Sequence, residues 1–134
     1  MMPEQGPTHD PIQLSMFWKH LALLLYSGQL LLGGWQQANE PTPRAERARA
    51  LSWPVSDEIV RLSGWAMIAG AVALQIKPLR RLAALLLALQ LVPITYVGHR
   101  YWEAEGPAQG QQKIHFFKNV SMLGGALYIA FAED

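Results

Sequence analysis

The sequence predicts an all-α protein, an integral membrane four-helix antiparallel bundle. Three observations carry that expectation. First, 51% of the 134 residues are hydrophobic and only 16% are charged, where a soluble domain averages about 25% charged. Second, the charges are segregated. Stretches 14–35, 60–76, 79–98 and 116–132 hold five of them, Lys19, Arg61, Arg80, Arg81 and Lys118, each near a segment end where a long side chain can snorkel. The links between the stretches hold the rest, so a mean hydropathy of only +0.09 hides four apolar runs. Third, Trp and Tyr gather at the ends of these runs, as at membrane–water interfaces.

Residues 1–13, with Pro3, Pro7 and Pro11, read as a flexible tail ahead of a single domain over 14–134. The first 18 residues hold Glu4 and Asp10 but no Lys or Arg, so no cleavable leader is expected. The first span, 14–35, has Tyr26, Ser27 and Gln29 as its central polar residues, too few to make a charged face. Trp18 and Trp35 bracket it, about 25 Å apart along a helix. Lys19 and His20 form an interfacial pair at its start.

In the following link Thr42 reads as an N-cap and Pro43 as the first helical residue of a short arginine-rich helix running to Leu51. That helix suits a headgroup layer or a solvated surface equally. Ser56, Asp57 and Glu58 give the second span a capped, acidic first turn. Ala66 and Gly70 there form a small-xxx-small pair, and Trp65 is expected deeper, against a neighbouring helix. Lys77 and Pro78 mark a tight hairpin link. In the third span Pro93 is expected to kink the helix and free the Leu89 carbonyl. In the fourth, Ser121 and Gly125, with Gly124 beside them, mark another close contact.

Four spans place both termini on one side. Lys19, Lys77, Arg80 and Arg81 lie there, against seven basic residues opposite. Total count puts the termini outside; basic density next to the spans puts them inside.

Several classes are excluded or weakened. With no cysteine there is no disulfide scaffold, thiolate zinc site or iron–sulfur cluster. A net charge of +1 gives no field for nucleic acid. No phosphate loop, dinucleotide fingerprint or nucleophile elbow is present. No carboxylate lies inside a span, so an ion-coupled carrier lacks its usual intramembrane acid.

One polar cluster stands out. The third span ends in His99, Arg100, Tyr101 and Trp102, and the fourth begins around His115, Lys118 and Asn119. His115 shares a helix face with Lys118 and Asn119, and His99 and His115 can approach each other. Interfacial anchoring is one reading. A site for a polar headgroup or a quinone-like ring is another, with Tyr101, Trp102 and Phe117 stacking and His99, Arg100 and Lys118 donating. A metal or haem site is the third, but no HxxxH or HxxE spacing enforces it and no metal is expected.

Stretch 79–102 resembles the third helix of DoxX-family membrane proteins through Arg81, Ala84, Leu87, Pro93, Thr95, His99 and Trp102. Stretch 111–130 is similar to that family's H-F-x-K-N and G-G-x-L segment through His115, Phe116, Lys118, Asn119, Gly124, Gly125 and Leu127. Ser52, Trp53 and Pro54 resemble its short L-P turn. The chain departs from the family's pattern in having Lys19–His20 for an early Arg, Gln in place of Lys after Gly33–Gly34–Trp35, and no acid near Ala66. The resemblance implies a multi-pass inner-membrane protein with cytoplasmic termini. It also implies a place beside membrane redox enzymes, since the family includes a subunit type of thiosulfate:quinone oxidoreductase. Related quinone-linked thiol oxidoreductases need cysteines, which this chain lacks.

The leading expectation is an accessory subunit of a membrane redox system, not an enzyme on its own, with membrane lipid and a redox-enzyme partner as contacts and quinone as the possible cofactor. A quinone-linked oxidoreductase in its own right, or a small transporter or lipid-handling protein, are the alternatives. Oligomeric state is not encoded in any visible motif.

Overall fold

The computed structural model describes residues 1–3, 6 and 10–132. It is all-helical, with no strand among the described residues: α1 (Pro11–Asn39), α2 (Thr42–Ala50), α3 (Asp57–Ala73), α4 (Lys77–Gly98), a 3-10 turn (Tyr101–Glu103) and α5 (Pro107–Phe131). The described residues therefore form five α-helices, the four expected runs plus the short arginine-rich helix of the first link. The tail expected over 1–13 lies partly outside the described residues. Its end is already helical, because Pro11 pre-sets the first turn and the Asp10 carboxylate accepts from the Ile12 N–H at 3.0 Å.

Each boundary follows from local chemistry. Ser56 accepts from the Ile59 N–H at 3.2 Å, and Asp57 and Glu58 face the positive end of the α3 dipole. The expected cap of α2 differs. Thr42 is already helical, with Pro41 in the cap position. Its hydroxyl donates instead to Asp57 Oδ2 at 2.6 Å, tying α2 to α3. At the other end of α2, Ser52 sits at φ +63°. The Ser52 and Trp53 N–H groups close back on the Arg49 and Ala48 carbonyls, a Schellman stop with serine where glycine is usual. Lys77 and Pro78, expected in the link, instead form the first turn of α4; the turn is 74–76, with Leu74 fully buried. α5 opens at Pro107, well before 116, because Pro107 starts a helix that the polar run 108–115 continues.

Contacts set the directions. Along α1, Ser27 meets Ala71 and Gln37 meets Val60 on α3. Gln90 on α4 bonds Ser63 on α3. His99 meets Gln112, and Arg81 lies over Phe131, along the α4–α5 pair. Each sequential pair of long helices is therefore antiparallel, and Pro11 and Phe131 lie toward the same end. The core joins Leu30 of α1, Met67 and Ala71 of α3, Leu87 of α4 and Ala130 of α5.

The closest helix approach is one the small-residue pattern missed. A Cβ on Gly64 would fall 2.6 Å from the backbone of both Gly34 and Ala38. Gly70 does abut Leu87, and Gly125 abuts the Tyr26 ring. Ala66, Ser121 and Gly124 instead face outward. They sit on the helix faces opposite the contacts, so the approach passes to Gly34 and Gly64. Pro93 is also exposed, inside a helix that runs on to Gly98.

One helical segment among those described, Lys77–Glu103, is long and apolar enough to cross a membrane by length and composition. At 17 residues α3 sits at the lower limit, and α1 and α5 interleave Gln, Ser and Asn with their apolar runs.

Candidate functional site at the α4–α5 end

Helix α4 stops at His99, whose N–H still reaches the Thr95 carbonyl at 3.1 Å. The 3-10 turn then folds the chain back so that α5 returns alongside. This places His99 Nδ1 at 2.9 Å from Gln112 Oε1. Nδ1–H donates to that oxygen, which leaves Nε2 as an acceptor. The His99 and His115 rings stack at 5.3 Å with 27° between planes. The two histidines are thus brought together as expected, while Gln112, the group that orients His99, was hidden in a stretch read as a polar link.

Arg100 is held more tightly. Its Nε and Nη2 grip Glu103 in a two-point ion pair at 2.9 and 2.8 Å. The guanidinium lies over the rings of Tyr96 and Trp102, at 4.5 and 4.9 Å. Its Nη1 is buried with no hydrogen-bond partner among the described residues. Arg100 is therefore fixed on one edge by Glu103, with its Nη1 left unpaired among the described residues. An i, i+3 spacing of Arg and Glu was visible in the sequence, but it becomes a pair only because the turn is helical.

Tyr101, Trp102, Phe116 and Phe117 form a cluster of tilted and edge-to-face rings 5.3–6.2 Å apart. Trp53 extends it by stacking on Tyr96 at 6.1 Å. Trp65 was expected to lie deep; it is half-exposed and packs edge-on against Trp35 at 6.0 Å, because α1 and α3 pass so closely at Gly34 and Gly64 that both large rings are pushed to the rim.

Around this end α2 acts as a clasp. Arg47 Nη1 donates to the last α4 carbonyl, Gly98, at 3.3 Å, and Arg49 Nη1 reaches Val55 O and Asp57 Oδ1. The Thr42 hydroxyl first, and the Arg49 guanidinium after it, hold the Asp57 carboxyl below the usual carboxylate range. A cavity of about 270 Å³ lies between α2 and the turn, with Arg47, Leu51, Val97, Arg100 and Gln112 in its wall.

Two side chains contrast with these. Lys118 is partly buried, and Asn119 is only 7% exposed. Neither makes a hydrogen bond or ion pair among the described residues. Buried amides are satisfied in most folds; Asn119 joins Arg100 Nη1 as a group at this end without a partner among the described residues. His115 itself is exposed and Lys118 and Asn119 follow it on α5, one turn further in. Among the described residues no group of three or more His, Asp or Glu side chains is placed to hold a metal ion.

No family model matches the chain, and neither the curated proteins nor the solved structures give a match.

Proposed function

We propose that the chain is a DoxX-like, multi-pass inner-membrane protein, a four-helix membrane bundle clasped by α2. It serves as an accessory subunit beside a membrane redox enzyme and holds the carbonyl oxygens of a quinone-like ring or lipid headgroup at the α4–α5 end. The membrane part is supported by apolar side chains facing outward on every long helix. Leu25 of α1, Leu62 of α3, Leu89 of α4 and Ile114 of α5 are 60–72% exposed, an arrangement that costs free energy in water and none in lipid. The family-level part rests on the resemblance over 79–102 and 111–130.

The observation that carries the site is the pair Lys118 and Asn119. A lysine ammonium and a carboxamide, both without partners in the fold, supply adjacent donors of the kind a carbonyl oxygen accepts from. Tyr101, Trp102 and Phe117 belong to the ring cluster at the same end of the bundle. A transport path is less well supported, because two of the few polar groups inside the spans are spent internally: Gln90 bonds Ser63, and Thr95 bonds the Leu91 carbonyl of its own helix. Among the described residues no group of three or more His, Asp or Glu side chains could hold a catalytic metal, which favours the accessory reading.

The test is a titration of detergent-solubilised protein with a short-chain ubiquinone analogue, following tryptophan fluorescence. Native protein is expected to show saturable quenching. Lys118→Ala and Asn119→Ala are each expected to weaken it by about tenfold, the loss of one hydrogen bond to a charged or buried donor. Unchanged affinity in both variants would overturn the site. Turnover of a quinone by the isolated chain with an added electron donor would overturn the accessory role.

A further inference from the structure

The opposite end of the bundle carries a different chemistry. Between the start of α4 and the end of α5 is a cavity of about 390 Å³, larger than the one beside the candidate site. One wall is Lys77, Arg80 and Arg81; the other is Ile129, Phe131 and their neighbours. No acidic residue is among its described lining. Arg80 is engaged, its Nε donating to the Leu74 carbonyl at 2.8 Å. Lys77 and Arg81 make no hydrogen bond or ion pair among the described residues, and the Arg81 guanidinium lies over the Phe131 ring at 5.8 Å.

We infer that this cavity binds the phosphate diester of an anionic phospholipid. Two cations at its mouth, with the positive end of the α4 dipole behind them, favour a phosphate. An apolar opposite wall does not suit a freely hydrated ion; it suits the glycerol and the first acyl carbons of a lipid. The inference rests on the membrane reading above and is independent of the quinone site. It also has an orientation consequence. The cytoplasmic leaflet is the anionic one, so the cavity places the α1 start and the α5 end on the cytoplasmic side.

The experiment is thermal unfolding of the full chain in detergent during titration with short-chain phosphatidylglycerol, phosphatidylcholine or inorganic phosphate. Native protein is expected to be stabilised saturably by phosphatidylglycerol alone. Each cation near an anionic headgroup contributes about fivefold in affinity, so Lys77→Gln with Arg81→Gln is expected to lose about thirtyfold. Lys77→Arg with Arg81→Lys keeps the charge and is expected to retain binding, as is Lys113→Gln at the far end. Arg80 is left in place because it secures the turn. Equal affinity in the neutralised variant, equal stabilisation by phosphatidylcholine, or equally tight binding of inorganic phosphate would each overturn the lipid site. Should the double variant not fold, Lys77→Gln alone carries the test, with about a fivefold loss expected. Membrane fractionation separates the two ideas: a native chain that leaves membranes in alkaline carbonate sinks the membrane reading. A chain that stays in membranes but ignores phosphatidylglycerol sinks this site only.

Discussion

The α1–α3 seam and the α4–α5 seam are built from opposite materials. At Gly34 and Gly64 the first brings two backbones together with no room for a Cβ, and it fastens them with amides: buried Gln37 to the Val60 carbonyl, and half-buried Gln75 to Ser27 at 2.8 Å. The second is lined by Ala83, Ala84, Leu87 and Ala130 in its lower half and opens at its end into rings, histidines and ion pairs. The contrast assigns roles. A backbone seam has one geometry and resists change, because an added methyl group has nowhere to go. A seam ending in side chains can leave Lys118 and Asn119 unspent without losing the fold. The candidate site sits on the second seam, where Lys118 and Asn119 keep no partner among the described residues.

Breaking the first seam is expected to have the largest effect. Gly64→Ala places a carbon 2.6 Å from the Gly34 carbonyl oxygen and the Ala38 nitrogen. Neither is a flexible side chain, so the helices must separate. The expected loss is about 3 kcal/mol, read by unfolding in mixed detergent micelles. Gly124→Ala, with nothing within 4 Å, is the matched control and is expected to be neutral or slightly stabilising. Equal effects would erase the distinction between seams.

The second seam is expected to yield more gently. Glu103→Gln removes the charged partner from Arg100, whose side chain is 16% exposed while that of Glu103 is 55% exposed. Solvent screening at the exposed carboxylate keeps the cost well below that of Gly64→Ala. The ring stack over Tyr96 and Trp102 is expected to hold the guanidinium in place, so tryptophan fluorescence should shift little while the unfolding midpoint falls.

How much of this was legible beforehand follows from the range of the interactions. The four apolar runs, the Ser56 cap and the short arginine-rich helix depend on residues within a few positions of each other, and charge and proline placement reveal them. His99 beside His115 followed from an antiparallel return. The Gly34–Gly64 contact did not, because the two glycines lie on different helices and only the rotation of each about its axis makes them meet. That same rotation turned Ala66, Ser121 and Gly124 outward. Gln112 was missed for another reason: residues 108–115 lack apolar periodicity, yet Pro107 starts a helix there that carries Gln112 to His99. The sequence placed His99, Arg100 and Lys118 together as candidate donors, but not which of them is already engaged, since an unspent donor is visible only when every neighbour's partner is known.

The clasp α2 touches both seams, and Ser52 tests its stop. Serine at φ +63° bears the left-handed penalty that glycine avoids. Ser52→Gly is expected to stabilise the chain by about 1 kcal/mol, with Ser52→Ala giving no gain. A loss of stability in the glycine variant would mean that the serine hydroxyl, not the backbone, secures this turn.

The smallest expected effect is the pH response of the Thr42–Asp57–Arg49 contact, which fastens the clasp to the first seam. The Asp57 carboxyl is held below its ordinary value, so folding favours its ionised form. That contribution is fully present above the unfolded value, near pH 4. It declines as pH falls toward the folded value and vanishes below both. Stability of the native chain should therefore drop on acidification below about pH 4, with Thr42→Val shrinking the drop because the leading hydrogen bond is gone. Arg49→Gln should shrink it less, since that guanidinium ranks behind the hydroxyl and is half-exposed at 3.2 Å from the carboxylate. If Arg49→Gln flattens the profile more than Thr42→Val, the clasp is held by charge rather than by the hydroxyl. α2 would then be expected to loosen with added salt, while the glycine seam beneath it stays insensitive to both salt and pH.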